Sequence, residues 1–164
     1  MNCALYERRP RVTAVNINDI SKSLFGDNKN VLVFDVDGVV LHRIKTYFNG
    51  VRGFDSYVVD KNARRVIDFA TERFDEVVLW SASSNYIENF GGKLFNKVPI
   101  HIVGVCSDDS AECGFYKDLR KINENVKRVV AIEDDDMFRP KERVVKVNGN
   151  ENLVYVLQSA IALP

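Results

Sequence analysis

Two aspartates one residue apart, Asp35 and Asp37, stand directly behind the apolar run VLVF at 31–34 in the stretch VLVFDVDGVVLH. Two further apolar runs end in polar residues: VVLW at 77–80 is followed by Ser81, and VVAI at 129–132 by Glu133, Asp134, Asp135 and Asp136. If the runs are strands of one parallel sheet, their carboxyl ends share an edge, and ligands of open parallel sheets bind outside that edge. Carboxylates gathered there repel one another unless a cation neutralises them. A hard divalent ion fits best, and Mg²⁺ takes only one or two carboxylates, completing its shell with waters and substrate phosphate. The constellation therefore asks for both Mg²⁺ and a phosphate. Lys117, read as opening a helix before the VVAI run, supplies positive charge for that phosphate, and Ser81 a hydrogen bond.

Other phosphate and metal chemistries fail on spacing. A GxxxxGK loop ending at Gly92-Lys93 would need glycine where Ile87 stands. A CxxxxxR nucleophile motif meets Leu119 after Cys113 and Glu112 after Cys106; Cys3 does have Arg9 at that spacing, but no strand precedes it and no glycine lies between. An EF-hand through Asp35, Asp37 and Gly38 would place Ile44 where the bidentate glutamate belongs. His42 and His101 are the only histidines, too few for a histidine-rich metal site.

The elements that must position these residues are legible in the hydrophobic pattern. VLVF, VVLW, IHIVGV at 100–105, VVAI and VVKV at 144–147 are apolar throughout, as strands buried on both faces of a parallel sheet are. Between them, Ala63, Val66, Ile67, Ala70 and Phe74 fall at helical spacing over Lys61 to Phe74. Further helices are expected over Asn85 to Lys97, Lys117 to Asn125 and Glu151 to Ala160. Alternating β and α elements predict an α/β three-layer, Rossmann-like, doubly wound parallel sheet of about five strands. The segment after Asp37 has no helical pattern, and Asn49-Gly50 and Arg52-Gly53 between β-prone runs predict a projecting β-hairpin. The strand period of two is expected to send Asp35 and Asp37 to the same side. Residues 1–30 read as an N-terminal extension of unclear role, with a short helix over Asn18 to Leu24, and residues 31–164 as a single domain.

The bulk properties agree with one globular domain. At 164 residues the chain can bury about two thirds of its unfolded surface. Twenty-three Lys plus Arg balance 23 Asp plus Glu, so no global charge draws it to nucleic acid or an anionic membrane. Cys3, Cys106 and Cys113 form no CxxC pair and argue for a reducing compartment. No signal-peptide core precedes residue 12 and no apolar run approaches the roughly 18 residues of a membrane span, so the expectation is a cytoplasmic protein.

DVDGV, a hydrophobic strand ending in Ser81, then Lys117, then a strand ending in an acidic pair resemble, in this order, the four motifs of the haloacid dehalogenase superfamily, across about Val31 to Val147. The resemblance implies a Mg²⁺-dependent phosphatase in which Asp35 is the nucleophile forming an aspartyl-phosphate. Asp37 would be general acid and then base. It implies that Ser81, the adjoining Ala82 and Lys117 hold the phosphoryl oxygens. The metal would be held by Asp35, the Asp37 backbone carbonyl and Asp134, with Glu133 beside it and the register open by one residue. Asp37 to Lys61 leaves room only for the hairpin, and Ser81 to Lys117 only for a helix, a strand and a loop, so no cap domain fits. Capless members have open sites and often act on large substrates.

VVLWSASSNYIENF and YKDLRKI also resemble, distantly, the phosphatases that act on the C-terminal tail of RNA polymerase. Gly38-Val39-Val40 stands where those carry Glu-Thr-Leu, and Glu133-Asp134-Asp135 departs from their fourth motif. The capless site and the resemblance at the second and third motifs, not these departures, make a phosphoprotein substrate the first expectation. A nucleotide or polynucleotide end, guided by His42, Arg43, Lys45 and Arg52, is the enzymatic alternative. A non-catalytic module binding a phosphorylated partner is the alternative outside enzymes.

Overall fold

The computed structural model describes residues 14–83, 100–107, 114–148 and 152–164. In chain order its strands are β1 (Ala14–Asn16), β2 (Val31–Asp35), β3 (Leu41–Phe48), β4 (Val51–Val59), β5 (Glu76–Ser81), β6 (Ile100–Val103), β7 (Cys106–Ser107), β8 (Phe115–Asp118), β9 (Val129–Glu133), β10 (Phe138–Arg139) and β11 (Val144–Lys146). Two α-helices are described, α1 (Ala63–Arg73) and α2 (Leu153–Ala162). Six strands form a parallel sheet in the order β1-β6-β5-β2-β9-β11.

The all-apolar runs are explained by burial on both faces. Leu32 and Phe34 of β2, Val77 and Leu79 of β5, and Val130 and Ile132 of β9 join a cluster with Val66, Ile67 and Ala70 of α1 and Leu153, Val156 and Leu157 of α2. The intervening residues Val31, Val33, Val78, Trp80, Val129 and Ala131 pack on the other side with Ile17, Leu119, Ile122 and Phe138. Each such side chain removed from water contributes on the order of 1.5–3 kcal/mol, so the central strands anchor everything attached to their ends. α2 is capped by Asn152, whose Oδ1 accepts from Val154 N at 2.9 Å.

The chain winds outward from β2 to β5 and β6, then returns across to β9 and β11 on the other side of β2. The carboxyl end of β2 is therefore the topological switch point, where the crevice of a doubly wound sheet opens.

Four expectations need correction. The segment Lys117 to Asn125 is not a helix: Phe115–Asp118 is a strand, followed by a single 3₁₀ turn at Leu119–Lys121. Its backbone is claimed from a distance, Lys117 pairing in parallel with Phe138 and its N–H donating to Met137 O at 2.7 Å. Asp118 then closes the turn by accepting from Arg120 N. Asn18 to Leu24 is likewise not a helix; only Ile17–Asp19 forms a 3₁₀ turn, and Leu24 and Phe25 donate instead to the carbonyls of Lys121 and Ile122. Residues 14–16, outside the expected elements, add a sixth strand at the sheet edge. The expected helix over Asn85 to Lys97 lies outside the described residues.

The fourth correction concerns the aspartates. β2 stops at Asp35, and the chain turns at once: Val39, Val40 and Leu41 all donate to Val36 O, and Gly38 N donates to Leu41 O at 2.7 Å. Strand alternation therefore does not carry through to Asp37, which stands in a loop and is exposed while Asp35 is buried.

The hairpin is as expected. β3 and β4 pair antiparallel about Asn49 and Gly50, with φ of 50° and 77°. Two consecutive left-handed residues make a type I′ turn, which suits Asn-Gly and matches the twist of the strands. No helix among the described residues is long and apolar enough to cross a membrane.

Candidate active site

The site is assembled at the end of β2. Asp35 is 8% exposed, and its Oδ1 accepts from Val36 N at 2.9 Å and from Lys117 Nζ at 2.9 Å. That leaves Oδ2 as the oxygen with reactive capacity. Burial pushes the Asp35 carboxyl up to about 6, against the lowering pull of Lys117 and with a further push from Asp134. A carboxylate at that value is still mostly ionised at neutral pH, and it is more basic than an ordinary aspartate.

Lys117 is fully buried at the end of β8. Besides Asp35 its ammonium donates to Trp80 O at 3.1 Å, and it lies 4.8 Å from the centroid of the Phe138 ring. Sheet alternation sets this up: Trp80 and Phe138 belong to the core on one side of the sheet, and Asp35 follows Val31 and Val33 onto that side.

Asp37 still reaches solvent, but partial burial in the cleft raises its carboxyl above the ordinary range; Lys117 opposes that rise, Asp134 adds to it and Arg43 opposes it more weakly. Gly38 explains how close the acidic loop comes. Its φ is +80°, and a Cβ there would collide with the Asp134 carboxylate. Only glycine both adopts that backbone at little cost and leaves room for Asp134.

Asp35, Asp37, Asp134 and Lys117 line one cleft of about 590 Å³, whose far wall includes Arg43 and His42 of the hairpin. His42 Nε2 is 2.7 Å from Asp60 Oδ2, which ties the base of the hairpin to the start of α1. A larger groove of about 860 Å³ between α1 and α2 contains none of these groups.

The structure thus brings together Asp35, Asp37, Lys117 and Asp134. Ala82 joins the cleft wall. Ser81 is placed differently: it is 1% exposed and its Oγ accepts from Ser83 N at 3.2 Å, closing the turn after β5. Glu133 is also 1% exposed, and its two carboxylate oxygens accept from the N–H groups of Met137 and Phe138 at 3.1–3.3 Å. Burial raises its carboxyl despite these bonds. Asp136 lies outside the cleft, paired with Arg139 and Lys141.

Among the described residues no three His, Cys, Asp or Glu side chains are grouped to hold a metal by themselves. The donor set nevertheless suits Mg²⁺, which is content with two carboxylates plus a carbonyl, waters and substrate oxygens. Asp134 raises the cost of ionising Asp35 across the cleft, and a divalent ion relieves that repulsion.

Three contributions carried no usable sequence signal. Trp80 contributes its carbonyl, Phe138 its ring face, and His42 with Asp60 a brace on the hairpin. Each acts through a long-range contact, which neither periodicity nor motif spacing encodes.

No family model matches the chain, and no curated protein matches it. Among solved structures it is similar to a variant of the fission yeast RNA polymerase II CTD phosphatase Fcp1 bound to beryllium fluoride, with 16% identity and a TM-score of 0.46. The match covers 74% of this chain and 42% of that one, so this chain spans less than half of the structure it matches.

Proposed function

We propose that the protein is a Mg²⁺-dependent phosphomonoester phosphatase that works through an aspartyl-phosphate on Asp35 and acts on a macromolecular substrate, a phosphoprotein first. The observation that carries this reading is the buried Asp35–Lys117 pair at the switch point of the sheet, with the exposed Asp37 beside it.

In the first step Asp35 Oδ2 attacks phosphorus while the bond to the leaving oxygen breaks. Asp37 gives its proton to that oxygen, a role served by its raised carboxyl. Lys117 keeps Asp35 ionised and offers its remaining N–H to a phosphoryl oxygen. In the second step Asp37, now ionised, takes a proton from water as the water oxygen attacks phosphorus. The bond to Asp35 breaks and inorganic phosphate leaves. Asp35, Asp134 and the Asp37 carbonyl would hold Mg²⁺, whose contribution when bound is to neutralise charge on the phosphoryl group. Ala82, through its backbone, would complete the phosphate cradle, with the buried Ser81 hydroxyl holding the turn after β5 and Glu133 behind Asp134.

A large substrate is supported by the hairpin. Tyr47, Phe48 and Val51 at its tip are 66%, 77% and 70% exposed, and Ile44 and Val58 are about half exposed. Exposed apolar side chains on a hairpin whose base lines the cleft suit a protein surface.

The test is a panel of aryl phosphates, nucleotides, 3′- and 5′-phosphorylated oligonucleotides and phosphopeptides, each with and without Mg²⁺. Release from phosphopeptides that is lost in both Asp35→Asn and Asp37→Asn supports the proposal. Preference for oligonucleotide ends would move the substrate to nucleic acid. Phosphopeptide binding without turnover by the wild type would make the protein a binding module.

A further inference from the structure

Phe138 lines no part of the cleft, yet it is the side chain against which the Lys117 ammonium is set. A buried ammonium has three N–H groups to direct. Two go to Asp35 and Trp80 O, and the Phe138 ring face lies 4.8 Å from the nitrogen. A ring face attracts the cation without accepting a conventional hydrogen bond, and it excludes the water that would otherwise compete for the third N–H.

The ring is itself held from three directions. Trp80 meets it edge to face, with centroids 5.6 Å apart and planes at 84°. Its backbone pairs with that of Lys117, and Lys117 N donates to the neighbouring Met137 O. The N–H groups of Met137 and Phe138 both end on the buried Glu133 carboxylate. Glu133 therefore fastens the loop 134–138 at both ends of its function, with Asp134 at the cleft and Phe138 under the lysine.

We infer that Glu133 and Phe138 are positioning residues that act on phosphoryl transfer through Lys117, Glu133 by fastening the loop and Phe138 by holding the ammonium in place. The kinetic consequences rest on the phosphatase reading, but the placement of Lys117 does not. Both are read in Phe138→Leu, Phe138→Tyr and the isosteric Glu133→Gln. At saturating Mg²⁺, Phe138→Leu and Glu133→Gln should each lose about tenfold in kcat with KM changed less than about threefold, because the lysine acts on the transition state more than on binding. Phe138→Tyr, which keeps the ring face, should retain most of the rate. The Mg²⁺ concentration for half-maximal rate should not move.

Independently of turnover, Lys117 should be protected from acetic anhydride in the wild type and acylated in Phe138→Leu and Glu133→Gln, read by peptide mass spectrometry on samples whose melting shows them folded. Should Phe138→Leu fail to fold, Glu133→Gln alone decides. A Glu133→Gln variant that needs more Mg²⁺ but recovers full kcat would make Glu133 a metal ligand and overturn the inference. Continued protection of Lys117 would overturn it as well. An inactive wild type would defeat the phosphatase reading while leaving the acylation result to decide the inference.

Discussion

Replacing Lys117 with methionine should destabilise the protein in a way that grows with pH. Lys117 Nζ lies 2.9 Å from Asp35 Oδ1, and the pair is buried. At an effective dielectric of about 20, that separation corresponds to about 6 kcal/mol of attraction, of which relaxation and desolvation leave the roughly 3–5 kcal/mol typical of breaking a buried pair. In the wild type the Asp35 carboxyl is raised by burial to about 6 against an ordinary 3.8. The folded state thus holds an extra proton between these values, and the stability this confers is present below 3.8 and lost as pH rises through 6; above that the group contributes no further slope. Without Lys117 the folded carboxyl sits well above 6, so the variant goes on losing stability where the wild type is flat, at about 1.4 kcal/mol per pH unit.

Urea denaturation of both proteins in chelator at pH 5, 6, 7 and 8 measures this directly. The difference in unfolding free energy should widen from pH 6 to pH 8 by up to about 3 kcal/mol. Asp35→Asn in the Lys117→Met background should abolish the widening, because no charge then remains to be buried. A difference that stays constant over this range, or narrows with pH, would refute the electrostatic account of the site.

Gly38→Ala forces a Cβ into the Asp134 carboxylate at a left-handed φ; it should cost on the order of 1–3 kcal/mol in thermal or urea unfolding and raise the Mg²⁺ needed for half-maximal rate. Asp37→Asn should change stability by less than about 0.5 kcal/mol, since the residue is exposed. It should nevertheless lower kcat by about 10²–10⁴ and let a phosphoryl adduct on Asp35 be detected by mass spectrometry. Tyr47→Ser with Phe48→Ser should leave turnover of a small aryl phosphate within about twofold while raising KM for phosphopeptides about tenfold or more, because side chains 66% and 77% exposed contribute to docking and little to folding.

Local chemistry was enough to read much of this protein. The runs VLVF, VVLW and VVAI, short and rich in β-branched valine, read as strands buried on both faces, which keep consecutive apolar side chains out of water. Asn49-Gly50 specified its turn because both residues tolerate positive φ, and DVDG at the end of a buried run marked the reactive edge. Asp35, Lys117 and Asp134 were legible as a constellation because like charges at one sheet edge demand compensation.

Only the tertiary structure decided how that compensation is made. Lys117 and its neighbours look helical in isolation, but pairing with Phe138 and Met137 extends the backbone and delivers the ammonium to Asp35. Ser81 turned inward to close a turn, and Glu133 spent its oxygens on backbone N–H groups, choices set by partners two to five residues away that a motif does not distinguish from ligands. Asp37 left the strand because Val36 O gathers three N–H groups into a turn. The sequence alone determined which residues carry charge and which strands carry them; the long-range hydrogen bonds and the packing of Phe138 and Trp80 determined which charges meet, because buried polar groups must find partners wherever the folded chain supplies them.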